Sequence, residues 1–343
     1  HIPGTTAAEI PMEDMLANVL NVDEFSGYEE MLLSDEWFAG GVSHKGMDGM
    51  FAMKLHEHDK YNGTLRGLKS FFAFGNRIIA LGSGLENGLK GSGLHTTLFQ
   101  NSLPEPEQSD TLFIRGSRVA VTDRFGNAFI VKDADIVMTI GLQHSYHEES
   151  AKPTEGWFEK AYINHGSVMK DGSYEYMAVV HADSLKVAEY VEEPPYEVIR
   201  CDADAHIVFD RESGTKAFAV FRKIGAEDDM ILKEASPSLI MYSVEDGTMT
   251  LSVSNPDLAL YSGSSDEIFD EEGKRVERSI YGREWVNNHC SPTTVRVVLD
   301  GNWNVAAGST PAVSARRLPG YRTELVFTTG EARTEEISLI KTK

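Results

Sequence analysis

Cysteine is almost absent from this sequence: two residues, Cys201 and Cys290, in 343. Two thiols cannot build a disulfide framework. They form either one buried pair or two reduced core thiols, and the usual burial of free cysteine favours the second. No run of 18 apolar residues occurs, which removes a membrane-spanning helix, and no signal peptide opens the sequence. Basic stripes are missing as well. The 32 Lys and Arg face 53 Asp and Glu, for a formal net charge of −21. That argues against nucleic acid, because neutralising phosphates needs clustered cations. The same charge repels an acidic polymer at long range, but salt screens the field within about 8–10 Å. A local group of bases in a cleft could still hold such a polymer. There is no nucleophile elbow, no P-loop and no dinucleotide fingerprint. Gly82-Ser83-Gly84 has too few glycines and no helix pattern after it. No cofactor is expected.

What is present is a chain of short apolar runs. They recur every eight to fifteen residues from 38 to 221, with Gly, Asn, Asp and Pro between them. Such spacing predicts antiparallel β structure, not alternating βαβ units. No repeat of 20–50 residues appears, which sets aside propellers and solenoids. Residues 49–55 and 77–81 read as buried strands and 65–74 as another, with Asn62-Gly63 and Gly75-Asn76 as hairpin turns. Residues 103–110 and 192–195 are proline-broken loops. Residues 12–19 could form a helical turn or two, and 24–35 an acidic loop or edge. The charged stretch 225–237 reads as a domain boundary. Strands follow at 239–244, 248–254, 294–299 and 323–327, with turns at Asp246-Gly247 and Asp300-Gly301 and a solvated excursion at 266–278. The expected division is 1–233 and 234–343.

Residues 37–85 are the most informative stretch. A Gly-rich segment, 40–46, carries His44 and Lys45, with Trp37 shortly before it and Asp48 shortly after. A loop of this kind on a rigid sheet is a plausible ligand surface. Trp37 could stack under a sugar ring while His44 or Lys45 meets a carboxylate or sulfate; equally, Trp37 could pack into a sheet edge. His56 and His58 sit at the spacing of a zinc pair, as do His144 and His147 within a short run. Three or four convergent ligands are normally needed, so a metal site is not expected. Gln100 could stitch loop backbone or reach a ligand. His165, Tyr174 and Tyr176 read as core.

Several of these pieces fall in an order that resembles polysaccharide lyase family 8, the chondroitin and hyaluronan lyases, especially the chondroitinase ABC branch. They are Ile2-Pro3-Gly4-Thr5-Thr6, the run from Phe38 to Leu55, Lys69-Ser70, the run from Ile78 to Leu85, and Thr96-Thr97-Leu98-Phe99-Gln100. Asn164-His165-Gly166, the segment Gly172-Ser173-Tyr174-Glu175-Tyr176, and Val253-Ser254-Asn255-Pro256 extend the likeness over nearly the whole chain. The resemblance implies an all-β protein: a large antiparallel β supersandwich, similar to that of galactose mutarotases, followed by a small C-terminal β-sandwich. It also implies a secreted or periplasmic lyase that cleaves an acidic polysaccharide by β-elimination. In that family a helical toroid precedes the Pro-Gly-Thr-Thr segment and carries the catalytic asparagine, histidine, tyrosine and arginine. This chain resembles the β half without its toroid, and is expected to be inert alone.

By the same resemblance, Trp37, His44, Lys45, Asp48 and Gln100 are the expected substrate-binding residues. One departure stands out. The chondroitinase ABC branch has a glutamate at the position matched by Lys45, and a lysine cannot play a carboxylate's part. Either Asp48 takes the role or substrate binds differently. Two other classes remain open: a carbohydrate-binding β module without lyase activity, and a mutarotase-like enzyme in which His44, His95 and His165 converge.

Overall fold

The computed structural model describes residues 2–10, 36–57, 64–146, 152–167, 169–225, 230–257, 268–269, 271–272, 275–276, 292–307 and 313–342. The sequence expectations for 12–19, 24–35, Asn62-Gly63, His58, His147 and Cys290, and for most of 266–278, lie outside these residues.

The first half of the chain forms Thr6–Glu9 (β1), Ala39–His44 (β2), Asp48–His56 (β3), Arg66–Phe74 (β4), Arg77–Asn87 (β5), Gly93–Ser102 (β6), Asp110–Thr122 (β7), Ala128–Tyr146 (β8), Pro153–Asn164 (β9) and Met169–Val179 (β10). The one helix among the described residues, Ser184–Glu192 (α1), follows. Then come Tyr196–Cys201 (β11), Ala205–Asp210 (β12), Thr215–Val220 (β13), Leu232–Ala235 (β14), Ser238–Glu245 (β15), Thr248–Ser254 (β16), Ile268–Phe269 (β17), Arg275–Val276 (β18), Thr293–Asp300 (β19), Asn302–Val305 (β20), Val313–Leu318 (β21), Arg322–Thr329 (β22) and Glu335–Thr342 (β23).

These strands make three main antiparallel sheets. The first has ten strands in the order β1-β6-β9-β8-β10-β5-β4-β3-β2, with β7 beside β8. The second runs β11-β12-β13-β15-β16-β23-β20, and the third β14-β19-β22-β21. The seven-stranded sheet lies in the middle. One of its faces packs Ala217, Ala219, Leu239 and Met241 against Met50, Phe72, Phe74, Ile79 and Leu81 of the ten-stranded sheet. The other packs Phe218, Val220, Ile240 and Leu251 against Val295, Val297, Leu325 and Phe327 of the four-stranded sheet. A strand buried on both faces has no polar alternation, and for that reason β13 reads Ala-Phe-Ala-Val and β15 Leu-Ile-Met-Tyr.

A third core comes from the ten-stranded sheet and Leu65 alone, so that sheet curls onto itself. The long strand β8 makes the curl. Its first residues pair with β10 and its later ones with β9, and Asp133 between them has φ 48°. Separate apolar runs can belong to one strand: 112–114 and 118–121 both lie in β7, and 128–131 and 136–142 both lie in β8.

The all-β sandwich architecture agrees with expectation. The division between 233 and 234 does not. β13 pairs directly with β15 over Lys216↔Tyr242 to Val220↔Ser238, so the middle sheet is built from both sides of that point. The charged stretch that reads as a linker contains β14, an edge strand paired to β19. Edge strands tolerate charge that a central strand would not. The helix α1 is also unanticipated. Asp183 caps it by accepting from the N–H groups of Leu185 and Lys186, and Val187, Tyr190 and Val191 press its apolar face onto the first core.

Candidate functional site

The segment 40–46 is strand more than loop. β2 continues through His44 and only Lys45–Met47 turn, with Lys45 and Gly46 at φ 54° and 67°. The glycines serve packing: a Cβ on Gly40 would sit 2.9 Å from Cβ of Pro256. Bare backbone lets the β2 edge of the first sheet lie against the end of β16.

This placement decides the fate of the hairpin's polar residues. His44 is fully buried and points away from solvent. Its Nδ1 is 2.7 Å from Ser252 Oγ and its Nε2 3.0 Å from Ser243 Oγ. Ser252 donates its own hydrogen to Glu336 Oε2 at 2.8 Å, so Nδ1–H donates to Ser252 and Nε2 accepts from Ser243. Burial holds the imidazole's pKa below its usual value, against the pull of Glu336. The expectation that His44 meets substrate is therefore corrected. With both nitrogens occupied by the middle sheet, it is an interlayer fastening.

Lys45 pairs with Glu245, and its N–H donates to Glu336 Oε2 at 2.8 Å. Its charge is thus already compensated. Asp48 is half-buried and accepts weakly from Thr215 Oγ1 at 3.4 Å. Trp37 remains 41% exposed. Gln100 is not brought to the hairpin. It lies on β6, with six strands between β6 and β2 in the sheet order. Its Oε1 is buried without a partner among the described residues. Five residues earlier on the same strand, His95 stacks on Tyr162 at 4.0 Å and reaches Glu9 at 3.4 Å.

The residues that do share an open face with Trp37 were not apparent from the sequence. In β3, Met50 and Ala52 point to the core, which turns Phe51 outward to 40% exposure. Phe51 pairs with Phe71 on β4, and Ile78 on β5 opposes Ala73 on the same side. The alternation Met50-Phe51-Ala52-Met53 was the available signal. It is legible only once the inner face is known, because both faces are apolar. Trp37, Phe51 and Ile78 are thus partly exposed apolar residues on one face of this sheet edge. Gly4 stands 3.5 Å from the Phe71 ring, measured from an added Cβ. Lys69 Nζ donates to Gly4 O at 2.6 Å. Burial lowers its pKa to about 8.

The mutarotase-like convergence does not form. His95 and His165 are near one another, but His44 lies at the opposite edge of the curled sheet. His165 accepts or donates to Thr96 Oγ1 at 2.8 Å, and burial brings its pKa down to about 4. His206, unremarked in the sequence, repeats the His44 arrangement in reverse. It reaches from β12 to Ser70 (2.7 Å) and Ser83 (2.8 Å) in the ten-stranded sheet. Ser83 donates to Asp202 O, so here Nε2–H donates and Nδ1 accepts from Ser70. Arg77 adds a charged fastening, bidentate to Asp210 at 2.6 and 3.1 Å. Among the described residues no three His, Cys, Asp or Glu side chains gather as for a metal. Cys201 carries a free thiol, half-buried, whose pKa burial pushes up to about 12.

The curled, layered β architecture is shared with polysaccharide lyases of known structure. Nearly the whole chain, 99%, superposes on 40% of the Streptomyces coelicolor A3 chondroitin AC lyase, solved in complex with chondroitin sulphate, with a TM-score of 0.71 at 15% identity. The chain belongs to polysaccharide lyase family 8, whose super-sandwich domain model matches residues 1–191. It is 37% identical over 344 residues to a chondroitin sulfate ABC exolyase of Bacteroides thetaiotaomicron, covering 99% of this chain and 34% of that protein. A chondroitin sulfate ABC exolyase of Proteus vulgaris is 34% identical over 317 residues, covering 88% of this chain and 31% of that protein. The chain thus spans about a third of the length of these curated relatives.

Proposed function

We propose that this chain is the β portion of a secreted or periplasmic lyase that cleaves a uronic-acid-containing polysaccharide, of the chondroitin sulfate or hyaluronan type, by β-elimination. It supplies one wall of the substrate cleft, and a helical toroid preceding it supplies the main catalytic groups. The observation that carries this reading is the match at 37% identity across 99% of the chain to only a third of a chondroitin sulfate ABC exolyase. A polymer of this kind cannot cross a membrane intact, so its cleavage belongs outside the cytoplasm.

Elimination needs three things: a group that neutralises the uronate, a base at the C5 proton, and an acid for the departing 4-oxygen. The β2–β3 hairpin offers none of them in a free state. His44 is buried with both nitrogens bonded, Lys45 is paired with Glu245, and Asp48 faces Thr215. What the wall offers is apolar surface. Trp37 and Phe51 can lie against the C–H faces of sugar rings and hold them in register while groups from elsewhere act.

Two measurements test this. The 343-residue chain, incubated with chondroitin sulfate and hyaluronan, yields no unsaturated product by ultraviolet absorbance, whereas the full-length protein does. Turnover by the chain alone overthrows the division of labour, and sugar binding without turnover even at full length marks a binding module instead. In the full-length protein Trp37→Ala raises KM about tenfold and leaves kcat nearly unchanged. An unaltered KM removes Trp37 from the wall.

A further inference from the structure

A second open place on the molecule is lined by two arginines. The edge strands β20 of the seven-stranded sheet and β21 of the four-stranded sheet face each other across an open groove of about 430 Å3. Trp303, Asn304 and Val305 line one side and Ala315, Arg316 and Arg317 the other.

Arg317 is the unusual residue. Its Nη1 donates to Thr323 Oγ1 at 2.8 Å, and its Nη2 to Asn304 Oδ1 at 2.6 Å and Thr342 Oγ1 at 3.2 Å. All three acceptors are neutral, and two of the guanidinium's five N–H groups remain for something else. Its neighbour Arg316 differs: it is spent on Glu324, with both contacts to Oε2. Lys341 lies over the Trp303 ring at 5.7 Å. Among the described residues no carboxylate forms an ion pair with Arg317 or Lys341. In a chain of formal charge −21, carboxylates are abundant, yet Arg317 is held by neutral groups only. Fixing an arginine costs side-chain entropy. Here neutral partners alone hold it, so its charge and planar fork stay available for an oxyanion. Tyr321, 47% exposed, donates to the carbonyl of Thr342, the residue Arg317 also holds, and adds an aromatic face beside the fork.

We propose that this groove binds the carboxylate or sulfate of an acidic saccharide, with Arg317 as the anchoring residue. The choice of a saccharide rests on the function proposed above; the anion itself rests on the geometry. β23 connects this groove to the hairpin, running from Glu336, under Lys45, to Thr342, under Arg317. Six residues of strand span ~20 Å, so one polymer chain, but not one sugar, can reach both.

The test uses the full-length protein and its Arg317→Gln and Arg317→Lys variants, with binding followed by titration calorimetry. The probes are hyaluronan fragments, which carry carboxylate only, a sulfated galactan free of uronate, and chondroitin sulfate fragments. Arg317→Gln weakens binding of at least one single-anion probe about tenfold, and the affected probe identifies carboxylate or sulfate as the ligand. Arg317→Lys, which keeps the charge and loses the fork, recovers only part of the affinity. Thermal melting controls for folding, since Arg317 is exposed and its loss leaves the cores untouched. Unchanged affinity for all three probes in Arg317→Gln overturns the site, even where the full-length protein still cleaves polysaccharide. Absence of cleavage with the Arg317 effect intact overturns the lyase reading alone.

Discussion

Asp210→Asn lowers the stability of the protein by about 3 kcal/mol. Asp210 is fully buried and Arg77 nearly so, and their two hydrogen bonds join β5 of the ten-stranded sheet to β12 of the middle one. Removing the carboxylate's charge leaves a guanidinium in the interlayer with only Glu212, at 3.0 Å and half exposed, to answer it. That remaining partner keeps the loss at the lower end of what breaking a buried pair costs. Asparagine still accepts from the Ser213 N–H, as Asp210 does, so the turn is spared and the effect reports the charge. Replacing both residues, Arg77→Met with Asp210→Leu, costs much less than Asp210→Asn alone, because no unpaired charge remains. Urea unfolding at neutral pH measures both variants. A double variant as damaged as the single one would show that the pair matters through shape and not through charge.

Acid weakens the same interface before the carboxylates titrate. Burial holds His206 at a pKa of about 4, against 6.5 in the unfolded chain. Between those values the unfolded chain takes up a proton that the folded one refuses. Stability from this residue is therefore complete above pH 6.5 and is lost as the pH falls towards 4. The difference amounts to about 3 kcal/mol. His165, also brought to about 4, and His44, lowered by burial, act in the same direction. The expected result is an unfolding midpoint in urea that falls steeply from pH 6.5 to 4.5. Glu234 and Glu324, held below the ordinary carboxylate range by Arg296, add their losses only lower down. His206→Gln is less stable at pH 7 and shows a shallower slope across that window. A midpoint that does not move between pH 7 and 4.5 would mean the imidazoles are reached by water and protonate in place.

Much of this was legible in the sequence, and what was not has physical causes. Strands such as β3, β5 and β16 announce themselves by apolar runs closed by Gly-Asn or Asp-Gly turns, and Asp246-Gly247 takes the positive φ values expected of it. The joining of β13 to β15 was hidden because a charged edge strand, β14, lies between them in sequence and looks like a linker. His44 misled for a related reason. Next to Gly-Gly and Lys-Gly an imidazole reads as a loop residue, and only the approach of Ser243 and Ser252, two hundred residues later, makes it interior. Phe51 and Ile78 were invisible as surface residues because apolar side chains occupy both faces of their strands. Arg317 gave no signal at all, since an uncompensated charge is a fact about its surroundings and not about its own neighbours in the chain.

The place of β23 has a consequence for how the protein is made. It lies between β16 and β20 in the middle sheet, yet every other strand of that sheet is synthesised before it. Until residues 335–342 leave the ribosome, the β16 edge has no neighbour and the outer layers have an incomplete surface to dock on. The nascent chain therefore waits with an open sticky edge, the condition under which chaperones are recruited.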